Sequence, residues 1–326
     1  MRAVVQDEYG SPDLLEISDI DRPAIEDDEV LMKVHSAAVN PADWHLMRGE
    51  AYIVRLVSGL RTPKIAVRGL DVAGIVHAVG EDVRDIEPGD EVFGEGIGTF
   101  AEYARAEEAK IADKPDSLSF EQAACVPIAA VTALQGLRDV GGVRPDDRVL
   151  INGASGGVGI FAVQIATSFG AEVTGVCSGA NVEMVRSLGA SDVVDYTKED
   201  FSKQEQQYDI VFDLAGNRSL SELRRVLTPD GTLVLCSGEG GKWFGPAGSF
   251  LKALVTSRFV GQELRPFMAS VSTEDLEALA ELLDAKRVSP VIDRTYDLNE
   301  TPEAIRYIET GRARGKVVIN IDDDGQ

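Results

Sequence analysis

Apolar positions change rhythm along this chain. From residue 2 to 40 they read as short strands: RAVVQ, LLEISDI and EVLMKVHSAAV. In the last, Val30, Met32 and Val34 alternate with Leu31, Lys33 and His35, the period-2 pattern of a half-buried strand. Asn40-Pro41 ends it, and ADWHLMR suits a short helix. KIAVRGLDVAGIVHAVG, EVFGEG and TFAEYARA add strands, and Glu87-Pro88-Gly89-Asp90 reads as a tight turn. Many short strands with Gly and Pro turns predict a barrel-like β domain.

Near Ser119 the pattern becomes helical and Ala-rich, with Ser119 and Gln122 spaced as a capping box. From Val149 strands and helices alternate. VLIN, EVTGVC, DVVD, DIVFDLA, GTLVLC and RFVGQEL are the expected strands, with helices starting near Asn181 and Ser219. Ser219 and Glu222 give a second capping box, and Thr228-Pro229-Asp230-Gly231 reads as the turn closing that helix. This alternation predicts a doubly wound parallel sheet. After about Ser270 come an amphipathic helix on Leu276, Leu279 and Leu283, a strand (PVIDRTYDL), a helix (TPEAIRYIETG) and a last strand (KVVINI). The expected organisation is a β-rich domain over 1–122, a nucleotide-binding domain over 123–270, and a return to the first over 271–326.

Residues 149–166 carry the clearest chemistry. An apolar run gives way to Gly153, Ala154, Ser155, Gly156, Gly157, Val158 and Gly159, after which Phe161, Ile165 and Phe169 share one helix face. Strand, glycine turn and helix form a phosphate cradle, where glycines admit the pyrophosphate and the helix start offers N–H donors. The six-position pattern has Ala154 at its first glycine. A carboxylate after the second strand would favour NADH, but residues 178–182 read SGANV. Ser178 and Asn181 can hydrogen-bond a 2′-phosphate instead, which points to NADPH. Arg186 is the nearest cation in sequence, or else a solvated surface charge. Tyr196 either serves the adenosine end or is an ordinary strand-end aromatic.

Composition narrows the picture. With 55 acidic and 32 basic residues, the net charge of −23 argues against nonspecific nucleic-acid binding. A dispersed acidic surface suits either a salty cytoplasm or an ordinary acidic protein. No eighteen-residue apolar run predicts an integral membrane segment, and MRAVVQDEYG lacks a signal-peptide core, so a cytoplasmic location is expected. Cys125, Cys177 and Cys236 read as core thiols. Among His35, His45 and His77 no pair has zinc-ligand spacing, so no metal site is expected.

Asn40-Pro41-Ala42-Asp43-Trp44, Gly69-Leu70-Asp71-Val72-Ala73-Gly74, Pro88-Gly89-Asp90-Glu91-Val92, the glycine loop and Ala313-Arg314-Gly315-Lys316 together resemble the medium-chain dehydrogenase/reductase superfamily. Within it the chain is similar to the zinc-independent quinone oxidoreductases. It is especially similar to the branch that holds the mitochondrial reticulon-interacting oxidoreductase and the chloroplast-envelope quinone oxidoreductase homologue. Cys177-Ser178 and residues 185–190 fit that branch as well.

The resemblance implies an α/β protein with a GroES-like β-rich catalytic domain and a Rossmann sheet. It implies NADPH as cofactor and a quinone or α,β-unsaturated carbonyl as the small-molecule substrate. Ser155, Gly157 and Val158 would hold the pyrophosphate, with Ala154 and Gly156 in the same loop. Ser178 and Tyr196 would lie at the 2′-phosphate end, and Thr132, Leu214, Arg314, Gly315 and Lys316 along the cofactor. Tyr52 is the candidate proton donor or merely a pocket wall, and Asn40 orients cofactor or substrate or simply ends a strand. Where the superfamily's zinc enzymes carry a Cys before an Asp and later Gly-His-Glu, this chain has Pro41-Ala42-Asp43 and Gly69-Leu70-Asp71. A homodimer paired through FVGQEL is also implied. The alternatives are a non-catalytic NADPH-binding interaction protein and an NAD(P)-dependent alcohol dehydrogenase.

Overall fold

A computed structural model describes residues 1–50, 55–236 and 247–321. The chain divides into two units: Met1–Val131 with Ser270–Ala285 and Pro290–Gln326, and Thr132–Ala269 with Lys286–Ser289.

The first unit opens with a hairpin, β1 (Arg2–Val5) and β2 (Glu16–Asp19). The long β3 (Glu29–Val39) follows, then helices α1 (Pro41–Arg48) and α2 (Arg55–Ser58). Strands β4 (Asp71–Val79), β5 (Glu91–Glu95), β6 (Tyr103–Glu107) and β7 (Ile111–Asp113) precede helix α3 (Phe120–Ala124). Helix α4 (Pro127–Gln135) and a π-helical turn, Gly136–Gly141, then lead into the second unit. The expected break after residue 122 thus falls later, after Val131. The reason is that α3 packs on β3 and β4, so the helical pattern near Ser119 begins inside the first unit.

In the second unit the order is β8 (Arg148–Asn152), α5 (Gly157–Ser168), β9 (Glu172–Cys177), α6 (Val182–Ser187) and β10 (Asp192–Asp195). It continues with β11 (Tyr208–Asp213), α7 (Leu220–Arg225), β12 (Leu227–Leu235), α8 (Ala247–Ser257) and β13 (Glu263–Pro266). The chain then completes the first unit with α9 (Thr273–Asp284), β14 (Ile292–Asp297), α10 (Thr301–Glu309) and β15 (Lys316–Asn320).

The sheet of the first unit runs β14-β15-β3-β4-β5-β7, with β6 also on β3. All its pairings are antiparallel except β14 with β15. Strand β3 is its axis, bonded to β4, β6 and β15. Val30, Met32 and Val34 are buried and Lys33 is exposed, but Leu31 is buried too, so the alternation is partial.

The second unit is a six-stranded, wholly parallel sheet in the order β10-β9-β8-β11-β12-β13. Chain order reverses between β8 and β11, and in such sheets ligands bind at the carboxyl ends of those strands. Helix α5 is buried all round over residues 160–166 rather than on one face, as its nearly uniform apolar sequence requires.

Two expectations in this unit are corrected. Thr228-Pro229-Asp230-Gly231 is not the turn ending α7, which stops at Arg225. These residues lie inside β12 as an irregularity, since pairing steps from Tyr208↔Leu227 to Ile210↔Thr232. In RFVGQEL only the end is strand: β13 starts at Glu263, and Phe259 is exposed.

Candidate cofactor-binding site

Gly153 leaves β8 at φ +96°, a conformation only glycine adopts without strain. The N–H groups of Gly153 and Ala154 donate to the Val176 carbonyl, tying the turn to β9. The turn glycine therefore stands one position before Ala154, and Ala154 fills a buried slot. A Cβ on Gly159 would lie 2.1 Å from the Gly153 oxygen, so that position admits no side chain. The turn delivers the chain to α5 with Gly156 at its N-cap, no side-chain cap and no acid in the first turn. The N–H groups of Gly157, Val158 and Gly159 thus have no acceptor within the helix. Ser155, Gly156, Gly157 and Val158 are half-buried.

Residues from the end of β9 meet this loop. Asn181 is buried and its amide donates to the Ser155 hydroxyl (3.0 Å), while its own oxygen Oδ1 is buried with no hydrogen-bond partner among the described residues. Ser178 precedes the single turn Gly179–Asn181, and its carbonyl accepts the Asn181 N–H. Beside it, Tyr196 N–H donates to the Cys177 carbonyl, and its side chain is exposed. Arg186 lies on α6, paired with Glu183 one turn back, and so reads as the surface charge of the two options.

Beneath the loop lies a polar cluster that sequence patterns did not indicate. Asn152 ends β8 and Asp213 ends β11, neighbours across the sheet. The Asn152 amide donates to Asp213 (2.7 Å) and Asn217 (3.1 Å), and Gly216 N–H also donates to Asp213. Burial raises the Asp213 pKa against the pull of these donors. Leu214 follows directly, half-buried, with its N–H on the Asn152 carbonyl. The available signal was a polar residue closing each of two apolar strands. Thr132 is buried in α4, the first residue of this unit.

The remaining predicted residues lie in the first unit. Asn40 N–H donates to Asp43 at the start of α1 (2.7 Å). The Asn40 amide donates to Asp71 (2.9 Å), and Lys316 Nζ reaches both Asn40 Oδ1 (2.6 Å) and Asp71 Oδ2 (3.0 Å). The other Asp71 oxygen accepts the Ile128 N–H (2.9 Å). Asn40, Asp71 and Lys316 are all buried, so this charge pair is sealed from solvent. Asp43, also buried, has its pKa pushed up to about 7, first by burial and further by the Asp71 charge. Gly315 sits at φ +100°, where a Cβ would strike the Val291 carbonyl, and Arg314 is exposed. Tyr52 lies outside the described residues.

Among the described residues, no three histidine, cysteine or carboxylate groups are placed to hold a metal ion. His35 stacks on Phe120 and His45 on Trp44, while His77 contacts Arg22. Burial pushes the Cys125 thiol up to about 12, and those of Cys177 and Cys236 to about 11. Among the described residues no helix is long and apolar enough to cross a membrane.

Residues 26–116 match the alcohol dehydrogenase GroES-like domain family, and residues 188–319 match a family described as zinc-binding dehydrogenase. The chain is 34% identical to the tomato (Solanum lycopersicum) 2-methylene-furan-3-one reductase, across 98% of this chain and 79% of that protein. It is 35% identical to the mouse (Mus musculus) mitochondrial NAD(P)H oxidoreductase RTN4IP1, across 98% and 89%. The solved quinone oxidoreductase of Coxiella burnetii superposes with a TM-score of 0.88 at 29% identity, covering 99% of both chains.

Proposed function

The chain belongs to the medium-chain dehydrogenase/reductase superfamily, and from that premise we propose that it is an NADPH-dependent reductase of quinones or α,β-unsaturated carbonyls, working without zinc. Like its relatives it is an NAD(P)H-dependent oxidoreductase. The observation that carries the cofactor is the open start of α5. Three N–H donors and the helix dipole converge at the sheet's reversal point, where a pyrophosphate is the fitting anion. The Asn181 oxygen, which has no hydrogen-bond partner among the described residues, and the Ser155 hydroxyl add polar groups beside it. NADPH is favoured because residues 178–182 offer no carboxylate to repel a 2′-phosphate.

When bound, the nicotinamide supplies a hydride to an electron-poor carbon. The chain's task is then to stabilise the charge that develops on the substrate's carbonyl oxygen and to provide a proton. Tyr52 is the candidate donor on the strength of the resemblance. Zinc independence is supported by the donor set. Where zinc enzymes of the superfamily carry Gly-His-Glu, the carboxylate of Asp71 already has its countercharge, the ammonium of Lys316. A homodimer paired through FVGQEL, whose end enters β13 at one of the two edges of the sheet among the described residues, and a cytoplasmic location go with this reading.

The test is consumption of NADPH and NADH with a panel of quinones, enones, enals, simple ketones and alcohols. Turnover of activated acceptors with NADPH supports the proposal. Turnover confined to simple alcohols and ketones would overturn it, and cofactor binding without turnover on any acceptor would leave only a binding protein.

A further inference from the structure

The proposed NADPH site lacks an obvious cation for the 2′-phosphate, since residues 178–182 contain none. Between Ser178 and Lys198 the sequence offers two, Arg186 and Lys198, and Arg186 is held by Glu183 on α6. Lys198 is placed differently. Strands β9 and β10 are parallel and in register, with Asp195 opposite Cys177. The segments leaving both strands therefore emerge side by side at the carboxyl end of the sheet.

The Asp195 carboxylate lies so close to Gly179 that a Cβ on that glycine would be 2.5 Å from Oδ2. Lys198 Nζ sits 3.0 Å from the same oxygen. The ammonium is thereby drawn to the backbone next to Ser178. Asp195 is fixed in turn, since Thr197 donates its hydroxyl (2.7 Å) and its N–H (3.1 Å) to Oδ1. Donation from Thr197 and the charge of the Lys198 ammonium, an ion-pair neighbour of Oδ2 rather than an aligned hydrogen-bond donor, hold the carboxyl at a pKa of about 2, so it stays ionised. The carboxylate alone would repel a phosphate, and the ammonium cancels it. Lys198 is 78% exposed, so its remaining donors face solvent.

We propose that Lys198 binds the 2′-phosphate of NADPH, with Asp195 as the residue that positions it against Ser178 and Tyr196. The cation comes from the loop after the third strand rather than from the second. The proposal rests on the NADPH reading above.

Calorimetric titration of the full chain with NADPH, NADH, 2′-AMP and 5′-AMP tests it without relying on turnover. Lys198→Gln is expected to weaken NADPH and 2′-AMP by about tenfold, as loss of one charge-assisted hydrogen bond at an exposed site implies. NADH and 5′-AMP should bind as before, and Lys198→Arg should restore most of the loss. If wild type prefers NADPH and Lys198→Gln keeps that preference, or if NADH weakens equally, Lys198 is not the phosphate ligand, while the NADPH reading stands. If wild type prefers NADH, the NADPH reading falls and this assignment falls with it.

Discussion

Removing the ammonium of Lys316 isolates a buried carboxylate. In Lys316→Met, Asp71 keeps the Asn40 amide and the Ile128 N–H but loses the one cation paired with it among the described residues. Lys316 and Asp71 side chains are 2% and 0% exposed, so water cannot compensate. Breaking one partner of such a pair costs about 3–5 kcal/mol, whereas replacing both by uncharged groups is often near neutral. For a unit of this size each kcal/mol moves the melting temperature by about 2–4 °C, so the single variant should melt roughly 10 °C lower. Asp71→Asn combined with Lys316→Met should recover most of that loss. Calorimetry on the four proteins of the cycle, in low and high KCl, is the assay. Because the pair is dry, the coupling should hardly change with salt. A Lys316→Met protein that melts within about 2 °C of wild type, or a double variant as unstable as the sum of the singles, would refute the reasoning.

Other substitutions test other parts. Gly159→Ala should abolish cofactor binding or the folded second unit, since its Cβ would meet a backbone oxygen, and equilibrium titration plus a melting curve will show which. The carboxyl of Asp43 titrates near 7 in the folded chain and near 3.8 when unfolded. Between those values the folded form holds the extra proton, so this group's contribution to stability falls as pH rises from about 4 to 7 and is flat above. Asp43→Asn should remove that slope and gain on wild type at pH 8 in melts across the range. Tyr52→Phe should lower kcat/KM on enones at least tenfold if the phenol delivers the proton, and an unchanged value would leave it a pocket wall. With a net charge of −23, the melting temperature should rise from low to molar KCl, and a flat response would remove the high-salt reading.

Legibility followed the range of the interaction. The β3 strand, the helix after Asn40-Pro41 and both Ser-x-x-(Gln/Glu) capping boxes are local devices, and their sequence signals sit where the elements form. The glycine loop was readable because strand, turn and helix are consecutive, although the true turn glycine lies one residue upstream of the pattern's first position. Local chemistry misled at Thr228-Pro229-Asp230-Gly231, a strong turn signature that the sheet absorbs as an irregularity. The buried pair Asp71–Lys316 could not be read, because its partners are 245 positions apart. Nor could Lys198, whose placement depends on the register of two strands.

Strand β15 lies inside its sheet, between β14 and β3, yet among the described strands it is the last to be synthesised. A ribosome adding about 5–20 residues per second takes roughly 15–60 s to travel from the end of β3 to β15. Throughout that interval β3 has one side without its final neighbour, while the second unit, nearly continuous in sequence, can already be complete. Synthesis therefore presents a folded parallel sheet tethered to an unfinished antiparallel one. The unfinished edge is the place where a chaperone would hold the nascent protein and where misassembly would begin.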